Sequence, residues 1–256
     1  MQDGSDCQMA MTNTSAAGRE GLWADVSQYL LRPPPRRTRV RPTGPEERED
    51  YQLRILQRLG INVADYSVLN IHRIGIEAPV TVVWEELLSW RPDGGYWPNT
   101  LARVIGRDPW LERAEVYLLG RTTSLFGLRN GFLGLDFIPL FSLDLIRRQS
   151  RPHPGDVDNA RYFLYRCSGG YPIGVFAVYV RSAIAAQQEV EPAQVFFLVS
   201  FDFFGRRNWL AARALRPLWT LLHDRVTGHF LSRFKAHCEA RFRQLQEGAL
   251  EPTRRT

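Results

Sequence analysis

The passage from a strand into a helix is marked by the segment IEAPVTVVWEEL, residues 76–87. Upstream of it, residues 68–76 alternate loosely between apolar and polar side chains and are rich in β-branched residues, which indicates a strand. Pro79 suits the first turn of a helix, where its missing N–H costs nothing. The apolar residues that follow fall on one helical face: Val80, Val83, Trp84, Leu87 and Leu88.

Further along the chain the pattern is mostly that of strands. A second short helix is predicted around Leu101–Ile105, before Gly106. The predicted strands then cover residues 115–123, 138–148, 161–167, 173–182 and 195–204. In the last of them every odd position is apolar, so the odd face is expected to point inward.

A long terminal helix completes the pattern. Asn208 is a suitable N-cap, and Pro217 either breaks the helix or marks a second helical start. Beyond Pro217, apolar residues recur every three or four positions from Leu218 to Leu245. We therefore expect an α+β fold in which the sheet wraps around this helix.

The N-terminal part differs in composition from the rest. Residues 1–50 are expected to form a disordered or weakly ordered tail, and residues 32–42 form a segment rich in proline and arginine. That segment is typical either of a stiff linker or of a ligand for a proline-recognising module or an acidic surface. The folded domain is predicted to span residues 61–247.

The segment 76–87, with Trp97-Pro98 after a polar loop, resembles the START-like helix-grip superfamily (SRPBCC). That superfamily includes polyketide cyclases, lipid-transfer proteins and coenzyme-Q-binding proteins. The resemblance implies a curved antiparallel sheet around a long C-terminal helix, with two short helices after the first strand. It also implies a cavity between sheet and helix that holds a hydrophobic small molecule, such as a lipid, an isoprenoid or a polyketide, with no cofactor.

Three functions are consistent with the sequence. The first is binding or transport of such a molecule without catalysis. The second is an enzyme of the cyclase/dehydratase type acting in the same cavity, and the third is an interaction protein with no cavity. The candidate ligand contacts are the strand residues expected to face the terminal helix and the helix residues expected to face the sheet. They are Asn70, His72, Phe197, Phe201, Trp219, Phe230 and Phe234.

Two residues are candidates for catalysis. His72 shares a strand face with Asn70 and could serve as a general acid or base, or it could be a structural histidine. Arg166 could bind a carboxylate or an enolate if it faced the cavity, or it could be solvated on the convex face. No GxSxG motif, phosphate-binding loop or dinucleotide motif is present.

The histidines and cysteines give no metal motif. His223, His229 and His237 are six and eight residues apart, which does not match the i, i+4 pair of a helical zinc site. The 3 cysteines have no CxxC spacing and are typical of a reduced set. The sequence therefore predicts no metal site.

The net charge of +6 is concentrated at the C-terminus, since residues 206–256 carry 11 basic and 4 acidic side chains. This positive charge indicates either that the segment binds an anionic membrane surface or that it forms the solvated face of an amphipathic helix. Nucleic-acid binding is not expected, because aromatic residues do not alternate with the basic ones on a recognition element. Without a signal-peptide pattern, the protein is expected to be cytoplasmic, either free or peripheral at a membrane.

Overall fold

The computed structural model describes residues 24–41, 46, 55–62, 65–89, 102–107, 113–118, 138–154, 159–168, 173–183, 192–203 and 209–250. Its described helices are α1 (Val26–Leu31, a π-helix), α2 (Gln57–Leu59), α3 (Val80–Leu88) and α4 (Trp209–Leu250). Its strands are β1 (Val68–Ile76), β2 (Ala102–Arg107), β3 (Arg113–Leu118), β4 (Ile138–Gln149), β5 (Arg161–Ser168), β6 (Ile173–Ser182) and β7 (Ala193–Asp202).

The strands form one antiparallel sheet in the order β1-β7-β6-β5-β4-β3-β2. The first two strands of the chain thus lie at opposite edges, and α3 lies in the chain between them. The last strand pairs with the first, and α4 lies across the face of the sheet. The α+β helix-grip fold predicted from the sequence is confirmed.

Helix α3 begins directly after Pro79, as the sequence predicts. Pro79 stands at its N-cap position with an extended backbone, so the missing N–H of proline falls where no helical bond is needed. Val83 and Trp84 lie on its buried face. This face packs against β6, β7 and α4, and it fills one end of the space between sheet and helix.

The second short helix predicted at Leu101–Ile105 is wrong, because residues 102–107 form strand β2. The same apolar residues, Val104 and Ile105, suit a strand as well as a helix, and pairing with β3 decides between the two. The strand predicted at 115–123 is β3 as far as residue 118, and its remainder lies outside the described residues.

Helix α4 runs unbroken through Pro217. Neither the break nor the second helical start suggested by the sequence is present, and the proline removes one helical hydrogen bond. Pro217 is exposed, so the carbonyl group that loses its partner lies near solvent. The predicted cap, Asn208, lies outside the described residues.

Both faces of the sheet are covered along β6 and β7, which the sequence did not predict. In β7 the odd residues Val195 and Phe197 lie under α4, as expected from the alternation. The even residues Phe196 and Leu198 are also buried, because α2 and the residues around it cover the opposite face. This part of the sheet thus lies between α4 on its inner face and the α2 segment on its outer face.

The N-terminal segment is part of the domain, so the domain starts well before the expected boundary at residue 61. Tyr29 of α1 is buried against α4, where its hydroxyl accepts a hydrogen bond from Arg233 (2.6 Å). Residues 32–41, which we call the strap, cross α4 and reach the free edge of β1. There Val40 N donates to Ile71 O (2.8 Å) and Arg73 N donates to Thr38 O (2.7 Å).

The contact between strap and helix gives a testable prediction at Gly228. A Cβ atom at this position would lie 2.7 Å from Pro34 Cβ and 2.9 Å from its Cγ, so Gly228→Ala should displace the strap. We expect a loss of about 1–3 kcal/mol in the free energy of unfolding, measured by urea titration. The matched control is Gly248→Ala on the same helix, where no atom lies within 4 Å.

The control should gain up to about 1 kcal/mol, because alanine is the better helix former. Equal effects of the two substitutions would contradict the position of the strap on α4.

Candidate functional site

The inner face of the sheet carries a cluster of buried aromatic side chains beneath α4, which we call the inner-face cluster. Trp84 of α3 stacks on Phe163 of β5, with ring centroids 4.5 Å apart and an interplanar angle of 15°. Phe197 of β7 meets Phe230 of α4 at 5.1 Å, and Phe230 stacks on Phe234 at 6.0 Å. The cluster joins sheet, α3 and α4 through apolar contacts.

One polar atom within this cluster has no partner. The indole nitrogen Nε1 of Trp84 is buried and makes no hydrogen bond to any described residue. The side chain as a whole is only 2% exposed. A buried N–H group without an acceptor costs about 1–3 kcal/mol, and such groups are rare in native proteins. Within the described residues, the Trp84 N–H is thus a buried donor without an acceptor.

The structure does not bring all of the predicted ligand contacts together. Phe197, Phe230 and Phe234 belong to the inner-face cluster. Phe201 and Trp219 lie in a separate apolar cluster, with their rings 4.9 Å apart. Asn70 and His72 are likewise on the inner face of β1 and fully buried.

Asn70 is held in place by Trp219. With its amide group oriented to satisfy both atoms, the Asn70 oxygen accepts from Trp219 Nε1 (2.9 Å) and its nitrogen donates to Leu69 O (3.2 Å). The amide is therefore satisfied within the protein, and it has a structural role in joining β1 to α4.

Arg166 does not reach the inner face. Its neighbours Tyr165 and Cys167 both belong to the inner-face cluster, so the alternation of β5 directs Arg166 to the outer face, where it is exposed. Arg166 thus takes the second of the two positions that the sequence left open, on the outer face and away from the interior between sheet and α4.

His72 is the centre of a buried polar cluster between β1, the strap and α4, which we call the His72 cluster. Its Nδ1 lies 2.9 Å from Thr38 Oγ1, and its Nε2 lies 3.1 Å from His223 Nδ1. The same Nε2 lies 3.4 Å from Asp224 Oδ1. On the far side of that carboxylate, Arg39 donates to Oδ2 at 3.0 Å. Three separate parts of the chain thus meet at one histidine.

The electrostatics of the cluster favour a neutral His223 and an ionised Asp224. Burial lowers the pKa of His223 to about 3, and the neighbouring His72 adds to this shift. Burial alone would raise the pKa of Asp224, but the neighbouring His72 and Arg39 outweigh it and hold that pKa below its usual value. The cluster therefore presents one carboxylate and imidazole nitrogens at short range.

Sequence spacing missed this cluster for a simple reason. The spacing of the three histidines on the terminal helix concerns only that helix, whereas the structure joins His223 to His72, which is 151 residues away. His229 and His237 make other contacts, to Arg32 O (3.1 Å) and to Glu86 Oε1 (3.0 Å). Only the placement of β1 under α4 brings the members together, and no local motif records it.

The buried thiols offer no nucleophile. Burial raises the pKa of Cys167 to about 12 and also raises that of Cys238. Both side chains stay protonated at neutral pH and act as small apolar groups in the inner-face cluster.

Several basic side chains of α4 bind other parts of the chain. Arg225 donates to Leu30 O, Lys235 to Gly75 O (2.8 Å) and Arg241 to Glu86 Oε2 (3.0 Å). The positive charge of the terminal segment thus has an intramolecular role, since it holds α1, β1 and α3 against the helix. Within the described ranges no helix has the length and the apolar character that crossing a bilayer requires.

By its fold the chain is a helix-grip protein of the α+β class. No protein-family model matches the sequence, and no curated protein matches it either. Among solved structures it is similar to protein Ms6760 from Mycobacterium smegmatis, with 12% identity, 70% of this chain and 94% of that chain covered, and a TM-score of 0.39.

It is also similar to the ZhuI aromatase/cyclase from Streptomyces sp. R1128, with 17% identity, 68% and 94% of the two chains covered, and a TM-score of 0.38. Norcoclaurine synthase from Thalictrum flavum is 11% identical, with 65% and 95% covered and a TM-score of 0.32. At these sequence identities and TM-scores, the similarities do not indicate the activity or the ligand of this chain.

Proposed function

We propose that this protein binds a hydrophobic small molecule against the inner face of its sheet, beneath α4. The ligand is a flat or bulky apolar molecule that carries at least one oxygen atom able to accept a hydrogen bond. The observation that carries the proposal is the unpartnered N–H of Trp84 within an otherwise apolar, aromatic surface.

The chemistry of the surface selects this class of ligand. Phenylalanine and tryptophan rings favour flat or bulky apolar molecules, because these gain contact area and ring stacking without requiring a charge. A carbonyl or hydroxyl oxygen near Trp84 Nε1 would supply the hydrogen bond that the protein itself does not supply. A pure hydrocarbon would leave that donor unsatisfied.

A catalytic function has no comparable support. Arg166 lies on the outer face, and His72 belongs to a cluster different from that of Trp84. Binding without chemistry is therefore the function we assign to the inner face.

The proposal predicts a specific effect of Trp84→Phe. We expect the wild-type chain to bind 9-fluorenone, which carries a carbonyl, about fivefold to thirtyfold more tightly than fluorene, its hydrocarbon counterpart. Trp84→Phe keeps an aromatic ring but removes the N–H, so the preference should fall to about one. The measurement is a fluorescence or calorimetric titration with both probes.

The matched control is Tyr179→Phe on the outer face, which also removes one polar group from a buried aromatic side chain. Tyr179 accepts a hydrogen bond from Arg58 (3.0 Å), far from the inner face. This variant should keep the preference for the ketone. An unchanged preference in Trp84→Phe, or no binding of either probe to the wild-type chain, would count against the proposal.

A further inference from the structure

We propose that His72, His223 and Asp224 bind one divalent transition-metal ion, of which Zn²⁺ fits the ligand set best. The site is separate from the inner-face cluster, and it concerns a property beyond the binding of a hydrophobic ligand.

The first argument is the spacing of the three ligand atoms. His72 Nε2 lies 3.1 Å from His223 Nδ1 and 3.4 Å from Asp224 Oδ1, and one ligand atom from each residue lies within 4.8 Å of the others. Zinc bonds of about 2.0–2.1 Å in a tetrahedron place neighbouring ligands about 3.3 Å apart. The two separations from His72 Nε2 bracket that value.

The second argument is the set of groups around the ligands. In the tautomer in which His72 Nδ1 donates to Thr38 Oγ1, the lone pair of Nε2 points toward His223 and Asp224. Arg39 binds Asp224 Oδ2 and so fixes the carboxylate. The buried Oδ1 makes no hydrogen bond within the described part of the chain and lies 3.4 Å from His72 Nε2. In metal sites, hydrogen bonds from neighbouring groups orient the imidazole and carboxylate ligands in this way.

The third argument concerns the kind of ion. Two imidazole nitrogens and one carboxylate oxygen suit zinc and its neighbours in the first transition row, whereas Ca²⁺ and Mg²⁺ prefer oxygen ligands alone. Three protein ligands leave a fourth position for water. Because the ligands come from β1 and α4, with Thr38 and Arg39 from the strap, a bound ion would hold the edge strand, the helix and the strap together.

The experiment uses the untagged full chain, stripped with a chelator and then titrated with Zn²⁺ by calorimetry and with Co²⁺ by visible absorption. We expect one ion per chain, intense Co²⁺ bands of a four-coordinate site, and a rise in Tm with Zn²⁺. His72→Gln and Asp224→Asn should each weaken Zn²⁺ binding at least about tenfold and remove the rise in Tm.

The matched control is His237→Asn, on the same helix but outside the cluster, which should bind Zn²⁺ like the wild-type chain. Circular dichroism checks the folding of each variant, and if His72→Gln does not fold, Asp224→Asn decides the question. The proposal is overturned if the wild-type chain binds no stoichiometric ion, if Asp224→Asn binds as tightly as the wild type, or if His237→Asn abolishes binding.

Discussion

Gly174→Ala is expected to prevent folding of the domain. Gly174 lies in β6 opposite Phe201 of β7, where an added Cβ would come within 2.0 Å of Ser200 O and 2.5 Å of Phe201 Cβ. These are backbone and near-backbone atoms, so the clash cannot be relieved by turning a flexible side chain. The two strands would have to separate in the middle of the sheet.

The result should be seen by far-UV circular dichroism and by the yield of soluble chain. Gly75→Ala is the matched control, since Gly75 is also a strand glycine and has no atom within 4 Å of its added Cβ. We expect the control to change the free energy of unfolding by less than about 0.5 kcal/mol. A stable, cooperative Gly174→Ala variant would show that β6 and β7 do not approach as described.

Phe234→Ala is expected to lower the free energy of unfolding by about 3–5 kcal/mol. Phe234 is fully buried, stacks on Phe230 and belongs to the cluster that joins α4 to the sheet. Removing the ring loses its burial and leaves a cavity, because the surrounding strands and helices cannot collapse into the space. Chemical denaturation with a fixed m-value is the measurement.

Phe242→Ala provides the comparison, since Phe242 lies on the same helix but is only partly buried at the edge of the cluster. Its loss should be smaller than that of Phe234→Ala by about 1–2 kcal/mol, because less apolar area is removed from the interior. Equal losses, or a loss below about 1 kcal/mol for Phe234→Ala, would contradict the packing of α4 on the inner face.

The regular elements could be predicted from the sequence because their periods are clear. Alternation in residues 195–203 identified both the strand and its inward face, and the three-to-four repeat from Leu218 onward identified the long helix. At Val104 and Ile105 the same reasoning failed, because short apolar runs suit either a helix or a strand until a partner strand is known.

The N-terminal segment and the His72 cluster could not be predicted for a different reason. Pro34 and Thr38 belong to a stretch whose composition is typical of a linker, and only contact with Gly228 and His72 makes it part of the domain. Likewise, the sequence around His72 contains no pattern that predicts its contact with His223. Long-range contacts of single side chains leave no period in the sequence, whereas strands and helices do.

Binding of an apolar ligand on the inner face is the central claim, and native mass spectrometry of the full chain, purified without a tag, tests it most directly. We expect a complex whose mass exceeds that of the chain by one small molecule, which organic solvent extracts and which contains oxygen. The complex should be reduced in Trp84→Phe and retained in Tyr179→Phe. A wild-type chain that carries no such molecule and takes up no 9-fluorenone when this probe is added would contradict the claim.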